Sequence, residues 1–267
     1  MGNAAPAATA ERSALLKIET VGAVMTVGLN RPAKRNALND GIILAIQDCF
    51  SDLPEGVGAV VVHGIGDHFS SGLDLSELTE HDATEGLRHS QMWHRVFDRI
   101  QYSRVPVIAA LKGAVIGGGL ELACAAHIRV AEPSAYFALP EGQRGIFVGG
   151  GGSVRLPRLI GVARMTDMML TGRVYSATEG SAYGFTQYLT EAGGALPKAM
   201  ELAERVAANA PLTNFAVLQA LPMIAEANPQ TGLLMESLMA TVAQSDKEAK
   251  RRIRDFLDRK TAKVKPA

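Results

Sequence analysis

The stretch that decides the fold is residues 109–141, which read AALKGAVIGGGLELACAAHIRVAEPSAYFALPE. An apolar run at 105–111 leads into a glycine-dense turn that ends at 117–119, and a segment rich in helix formers follows at 120–126. This order predicts a strand, a glycine turn and the start of a helix. Consecutive glycines there expose backbone N–H groups, and the helix dipole favours negative charge. The turn is therefore predicted to bind an anion or a developing oxyanion.

Two carboxylates accompany this turn. Glu121 follows Gly118 closely and lies in the first turn of the predicted helix, and Glu141 comes after the run Phe-Ala-Leu-Pro. Two carboxylates beside an oxyanion-type site indicate acid–base chemistry. Taken singly, Glu121 could only complement the helix dipole and Glu141 could only cap a turn. Both together, beside glycine turns, favour catalysis.

The overall composition limits the classes of function. At 267 residues and 47% hydrophobic content, the chain predicts one main domain, with or without an appendage. Lys plus Arg and Asp plus Glu number 27 each, so no net charge draws the chain to nucleic acid or to an anionic membrane. No apolar run approaches the roughly 18 residues of a membrane span. We therefore expect neither a nucleic-acid nor a membrane partner.

The cysteines and histidines predict no metal site. Cys49 and Cys124 lie in apolar helical contexts and outside any metal-ligand spacing, and the six histidines form no ligand pattern either. We interpret both cysteines as buried thiols in a reducing cytoplasm.

The rest of the chain predicts an α/β fold. Two short β-rich runs at 15–19 and 23–29 indicate a hairpin, and a buried strand at 57–63 precedes the glycine loop 64–75. Binding loops in α/β sheets follow the carboxyl ends of strands, so this loop is a candidate binding loop.

Glycines also suggest the domain boundaries. We expect a disordered leader at 1–13 and an α/β core at 14–192. After the pair Gly193-Gly194, four successive helical patterns without strands predict a C-terminal helical subdomain at 193–267.

Four motifs, in this order, resemble the crotonase (enoyl-CoA hydratase/isomerase) superfamily. They are LNRPAKRNAL at 29–38, FSSGLDL at 69–75, GAVIGGGLELA at 113–123, and FALPE at 137–141 with GIFVGGGGS at 145–153. The resemblance implies a spiral of repeated ββα units, followed by a helical region that mediates trimer contacts, with trimers pairing into hexamers. It also implies an acyl-CoA substrate, with coenzyme A as part of the substrate and no separate cofactor.

The resemblance assigns a role to each carboxylate. The backbone N–H groups of Leu73 and Gly118 match the pair that holds the thioester carbonyl. Glu121 matches the residue that activates water, and Glu141 matches the one that protonates Cα. Because both carboxylates are present, the resemblance favours an enoyl-CoA hydratase. An enoyl-CoA isomerase that uses a single glutamate, and a non-catalytic acyl-CoA-binding or RNA-binding relative, are the alternatives.

The same resemblance points to residues that contact coenzyme A. Arg31, Lys34 and Arg35 match a segment near its phosphates or adenine ring, and Lys260 resembles a basic residue that reaches it from a neighbouring chain. Ser71 and Asp74, in the loop that carries Leu73, are further candidates for substrate binding. From local sequence alone, Arg31, Lys34 and Arg35 could form a solvated turn, and Asp74 is more simply a helix cap.

One segment departs from the family pattern. Val148 stands where many hydratases have proline, the bulky Phe147 precedes it, and Leu139 replaces an often polar residue. Proline fixes φ, so its loss can change the turn that shapes the acyl pocket. We expect this difference to affect the range of substrates more than the type of reaction.

Overall fold

The computed structural model describes residue 12 and residues 14–76 and 82–258, and its strands form two sheets. The strands of the described residues are β1 (Leu16–Val21), β2 (Val24–Leu29), β3 (Ala59–Gly64), β4 (Val107–Leu111), β5 (Ala114–Ile116), β6 (Ile128–Ala131), β7 (Tyr136–Ala138), β8 (Tyr175–Ser176) and β9 (Tyr188–Leu189).

The larger sheet has six strands in the order β1-β2-β3-β4-β6-β9, and the smaller has the order β5-β7-β8. Strands β1 and β2 are antiparallel and form the predicted hairpin, with Gly22 at a φ of 57° in the turn. Strands β2, β3, β4, β6 and β9 pair in parallel. The α/β prediction is therefore confirmed, and the near-continuous Val, Ile and Ala runs are those expected of strands covered on both faces.

Helices cover both faces of the larger sheet. The described helices in the first part of the chain are α1 (Asp40–Ser51), α2 (Ala83–Gln101), α3 (Gly118–Ala125), α4 (Gly152–Ile160), α5 (Val162–Thr171), α6 (Ala177–Tyr183) and α7 (Ala195–Ala207). The apolar face of α1 joins the main core, which includes Ile42, Ile46, Val60 and Phe97. A second apolar cluster packs α7 against the sheet through Ala199 and other residues.

The chain divides into two compact units at Ala207/Ala208. The sequence placed the boundary near residue 193, so that α7 belonged to the C-terminal helical subdomain. The structure instead places α7 in the first unit, because Ala195, Ala199 and Leu202 pack against Val61 and Ile108 of the sheet. Local helical pattern could not show this, because the packing partners lie far away in the sequence. The expected leader at 1–13 lies almost wholly outside the described residues.

The second unit is helical among its described residues. It contains α8 (Pro211–Phe215), a π-helix (Ala216–Ala220), α9 (Leu221–Glu226), α10 (Pro229–Ser245) and α11 (Lys247–Leu257). Large apolar side chains are exposed along α10 and α11, including Leu233, Leu234, Leu238 and Phe256. Apolar side chains exposed in such number are typical of a protein–protein contact surface.

A buried asparagine fixes the loop that follows the hairpin. Asn36 is fully buried at a φ of 54°, a left-handed conformation that asparagine tolerates better than most residues. Its side-chain oxygen accepts the Arg31 N–H at 2.9 Å, and its amide donates to the carbonyl oxygens of Ile65 and His68 at 3.0 and 2.7 Å. Asn36 thus joins this loop to the glycine loop that follows β3.

We predict that Asn36→Ala lowers the free energy of unfolding by about 3 kcal/mol, because it leaves several buried polar groups without partners. Urea denaturation followed by circular dichroism measures this change. Asn30→Ala is the matched control, because the exposed Asn30 side chain makes one hydrogen bond, to the Ala14 carbonyl, and should cost less than about 1 kcal/mol. Equal losses in the two variants would contradict the anchoring role of Asn36.

Candidate active site

A cavity of about 400 Å³ lies between helix α2, the glycine loop 64–75, the glycine turn that leads into α3, and the segment 144–150. Both predicted carboxylates, Glu121 and Glu141, line it. Leu73 and Gly118 line the same cavity. The four residues are spread over a long stretch of chain, yet the fold brings all of them to one place. Volumes of this size are typical of small-molecule sites.

Pairing of the Leu73 loop with Leu38 leaves the N–H group of Leu73 free to point towards a ligand. The Gly72 carbonyl accepts the Leu38 N–H, and the Asp74 N–H donates to the Leu38 carbonyl, both at 2.8 Å. Because successive N–H groups of extended chain point in opposite directions, the Leu73 N–H points away from Leu38. Within the part of the chain that the structure describes, it donates to no protein acceptor.

The second donor is the first residue of α3. Gly118 opens this helix, so its N–H group has no intrahelical partner and lies at the positive end of the helix dipole. The two loops approach closely, since a Cβ atom placed on Gly72 would lie 3.4 Å from the Gly118 nitrogen. Two such donors at one cavity can bind a single carbonyl oxygen or oxyanion.

The glycine loop at 149–152 binds one carboxylate oxygen of Glu121. Its Oε1 accepts the N–H groups of Gly150 at 2.8 Å and Gly152 at 2.7 Å, and the residue is only 4% exposed. Burial raises the pKa of Glu121, while the hydrogen bonds from Gly152 and Gly150 and the charge of Arg155 oppose that rise. Donors aimed at one oxygen fix the orientation of the carboxyl group and favour its ionised form.

Glu141 is also buried, but it lacks the backbone donors that Glu121 has. It precedes the short 3-10 helix Gly142–Arg144 and is 8% exposed, and its buried Oε2 has no hydrogen-bond partner among the described residues. Burial, followed by the charge of Glu121, raises the pKa of Glu141 to about 7. A buried carboxyl oxygen without a partner is costly when ionised, so Glu141 is suited to hold a proton near neutral pH.

Three glycines leave room for the two carboxyl groups. A Cβ on Gly117 would lie 2.6 Å from Glu141 Oε1, and one on Gly152 would lie 2.8 Å from Glu121 Cγ. Gly150 has its own tight approach, since its Cβ would lie 2.9 Å from Phe97 and 3.1 Å from Glu121 Oε2. The glycine content of both turns thus has a steric reason at the carboxylates themselves.

The wall of the cavity beyond the carboxylates is largely apolar. Trp93, Leu75 and Ile116 contribute to it, together with Phe147 and Val148 of the segment that departs from the family pattern. Val148 is 8% exposed and belongs to the main core, whereas Phe147 is 68% exposed at the cavity edge. The aromatic ring of Phe147 is therefore available to a bound ligand.

Three of the residues predicted to contact coenzyme A form an ion cluster. Arg31 and Lys34 contact the same oxygen of Asp74, Oδ2, at 2.9 and 3.1 Å, and Ser76 donates to Oδ1 at 2.6 Å. The hydrogen bond from Ser76, with those from Lys34 and Arg31, holds the pKa of Asp74 well below its usual range. The structure gives these charges a role in fastening the loop that carries Leu73. Asp74 Oδ1 also accepts the Ser76 N–H at 3.1 Å. The helix-cap interpretation of Asp74 concerns mainly residues after 76, which lie outside the described ones, and it stays a prediction.

The remaining predicted residues differ in position. Ser71 lines the cavity, and its N–H donates to the Arg35 carbonyl at 3.0 Å, which joins the two loops. Arg35 has a left-handed φ of 50° and an exposed side chain. Lys260 lies outside the described residues.

Two residues that bind the glycine loop at 149–152 were not predicted from the sequence. Ser90 of α2 donates to the Gly149 carbonyl at 2.7 Å, and Arg155 of α4 donates to the Gly150 carbonyl at 3.0 Å. Nothing in the local pattern of α2 distinguishes Ser90 from other helix-surface serines. Arg155 offered one signal, because it lies three residues after the glycine run that ends at Gly152.

Two kinds of feature are absent from the described part of the chain. Among residues 14–76 and 82–258, no group of three or more His, Cys, Asp or Glu side chains is arranged to hold a metal ion. No helix of the described chain combines the length and apolar character that a membrane crossing requires.

The family profile for enoyl-CoA hydratase/isomerase matches residues 19–266. The chain therefore belongs to this family, and its fold is the crotonase fold.

Individual relatives agree with this membership. A crystal structure from Rhodopseudomonas palustris, provisionally named an enoyl-CoA hydratase, is 79% identical, with a TM-score of 0.91 over 94% of this chain and 98% of that one. A short-chain-enoyl-CoA hydratase of Clostridium acetobutylicum is 32% identical over 82% of this chain and 85% of its own length. A 2,3-dehydroadipyl-CoA hydratase of Escherichia coli is also 32% identical, over 91% of this chain and 95% of its own.

Proposed function

We propose that the protein is an enoyl-CoA hydratase, which adds water reversibly across the α,β double bond of an enoyl-CoA thioester. The observation that carries this proposal is the meeting of Glu121, Glu141 and the N–H groups of Leu73 and Gly118 at one cavity. Family membership supports the same activity.

The two N–H groups bind the thioester oxygen. Addition of water at Cβ moves negative charge onto this oxygen, so donors of fixed orientation stabilise the enolate more than the substrate. Each such donor typically lowers the barrier by about 2.7–4 kcal/mol. The helix dipole behind Gly118 acts in the same direction.

The two carboxyl groups divide the proton transfers. Glu121 is the base that accepts a proton from the attacking water, because two N–H groups favour its ionised form. Glu141 is the acid that donates a proton to Cα, because its raised pKa keeps it protonated near neutral pH. Hydration thereby places the hydroxyl of water on Cβ and the Glu141 proton on Cα, which leaves Glu121 protonated and Glu141 ionised. Loss of the Glu121 proton to solvent and uptake of a proton by Glu141 restore both groups for the next turnover.

Coenzyme A enters as part of the substrate, and we propose no separate cofactor. Ser71, Arg31, Lys34, Arg35, Asp74 and Lys260 remain the proposed contacts of the CoA portion. The ion cluster of Arg31, Lys34 and Asp74 supports a second role for these residues, since it holds the loop that presents the Leu73 N–H.

We further propose that the protein assembles as a trimer or a pair of trimers in the cytoplasm. The apolar side chains exposed on α10 and α11, such as Leu234 and Phe256, support self-association through the helical unit. The two cysteines, neither of which forms a disulfide, support a reducing compartment. Analytical ultracentrifugation of the purified chain tests the assembly.

The test of activity mixes purified protein with crotonyl-CoA and follows the ultraviolet absorbance of the conjugated thioester. Loss of absorbance with a mass gain of one water supports the hydratase. The substrate named for the Escherichia coli relative, 2,3-dehydroadipyl-CoA, extends the test to a second acyl group. Binding without hydration of either substrate would overturn the proposal and direct attention to isomerisation of a 3-enoyl-CoA.

The pKa of Glu141 predicts the pH dependence of hydration. Because Glu141 must be protonated to act as the acid and its pKa is about 7, kcat/KM should fall by roughly tenfold per pH unit above that value. The initial rate with crotonyl-CoA between pH 5 and 10 measures this. A rate that stays level to pH 9 would show that Glu141 does not supply the proton.

A further inference from the structure

Two side chains, Ser90 and Arg155, bind carbonyl groups of the glycine loop at 149–152, and Ser90 also lines the cavity. The Ser90 hydroxyl donates to the Gly149 carbonyl, which belongs to the same peptide unit as the Gly150 N–H that binds Glu121. One peptide unit therefore accepts from Ser90 and donates to Glu121. Hydrogen bonds linked in this way strengthen one another, because each polarises the peptide for the next.

Arg155 holds the following peptide unit. Its Nη1 donates to the Gly150 carbonyl at 3.0 Å, while Nη2 contacts Asp98 at 2.6 Å and Nε contacts Gln101 at 2.6 Å. The side chain is only 8% exposed, so α2 fixes it and little solvent screens its charge. Arg155 therefore anchors the loop to a rigid helix.

The Gly150 carbonyl depends on this anchor, because the other hydrogen bonds of the loop are made by Gly149, Gly151 and Gly152 and by the Gly150 N–H. Gly151 adopts a φ of 92°, and a Cβ there would lie 2.2 Å from Arg155 Nη1. The guanidinium thus fills the space that a side chain would need. Among the described residues, the Arg155 guanidinium is the group that fixes the direction of the Gly150 carbonyl.

We infer that Ser90 and Arg155 form a clamp, the glycine-loop clamp, that positions the Gly150 and Gly152 N–H groups on Glu121 and so keeps this carboxylate oriented and ionised. Ser90 and Arg155 are positioning residues, because they act through the loop. This inference rests on the proposed function for its kinetic test.

Few other groups act on the charge of Glu121. Cys124 lies on the same helix, and burial raises the pKa of its thiol to about 11, so it remains neutral. Glu141 faces Glu121 across the cavity and disfavours a second charge. Arg155 is the cation that acts on Glu121, and Asp98, which balances Arg155, is half exposed.

The kinetic test compares Ser90→Ala and Arg155→Met with the wild type. If Glu121 must be ionised, the acid limb of the pH profile of kcat/KM should move upward by about one unit in Arg155→Met, and by less in Ser90→Ala. At pH values below the limb, this shift is a loss of about tenfold. KM near the optimum should change little, because neither residue is assigned to bind the thioester.

Two controls separate positioning from general destabilisation. Arg158→Met changes an exposed arginine one turn further along α4, and its pH profile should match the wild type. Ser90→Ala is then combined with Glu121→Gln. A residue that acts through Glu121 should lose its effect on rate in that background, whereas a merely structural residue would lower both rates equally.

A second readout does not need turnover. Carbon-13 labelling of glutamate carboxyl groups, with Glu121→Gln to assign the signal, measures the Glu121 titration directly by NMR. A raised Glu121 pKa in Ser90→Ala and Arg155→Met supports the clamp even if the wild type fails to hydrate crotonyl-CoA. An unchanged titration in both folded variants overturns the inference, whatever the activity of the protein.

Discussion

Glu121→Gln is expected to lower kcat for hydration by about 10²–10⁴-fold, the usual contribution of a general base. Glutamine preserves the oxygen that accepts the Gly150 and Gly152 N–H groups, so the loop should keep its shape. It cannot accept a proton from water. Steady-state rates with crotonyl-CoA measure the loss, and calorimetric titration with butyryl-CoA, a saturated thioester, should show nearly unchanged affinity.

Glu204→Gln is the matched control for this experiment. Glu204 is an exposed residue of α7, so the same chemical change there should leave kcat and affinity as they are. A Glu121→Gln protein with a wild-type rate would remove Glu121 from the mechanism. A protein that lost affinity as well would show that Glu121 instead shapes the thioester site.

Glu141→Gln is expected to cause a loss of similar size, about 10²–10⁴-fold, for a different reason. The amide cannot deliver a proton to Cα, although it fits the space beside Gly117 that Glu141 occupies. The fall in kcat/KM above pH 7 should disappear from the residual activity, because the group that titrates there has been removed.

Isotope exchange separates the two roles. In heavy water, exchange of the Cα protons of butyryl-CoA, which has no double bond to hydrate, follows the Cα proton transfer alone, as mass spectrometry records. If Glu141 carries this proton, Glu121→Gln should retain the exchange and Glu141→Gln should lose it. Rapid exchange at Cα in Glu141→Gln would assign the proton to another group.

Much of the fold could be predicted from short-range pattern. The hairpin at β1 and β2, the buried strand β3 and the glycine turn before α3 all depend on neighbouring residues, and the structure contains each of them. The convergence of Glu121, Glu141, Leu73 and Gly118 on one cavity agrees with the predicted site, and their catalytic roles remain predictions.

Features fixed by distant contacts could not be predicted in this way. The cations Arg31 and Lys34 pair with Asp74 across about forty residues of chain, so local sequence made them a solvated turn or a phosphate contact. Helix α7 packs on strands that precede it by far, which no helical period reveals. Ser90 and Arg155 act on a loop through its backbone carbonyls, and backbone acceptors leave no signature in side-chain pattern.

The spacing around the glycines separates the part of the cavity that can be redesigned from the part that cannot. Libraries at Gly117, Gly150 and Gly152 should return almost only inactive clones, since even alanine would collide with a catalytic carboxylate or with Phe97. Ile146 and Phe147 border the same cavity, and their side chains are 44% and 68% exposed. Directed evolution of acyl-group preference should therefore concentrate its diversity at these two positions and keep the glycine framework fixed.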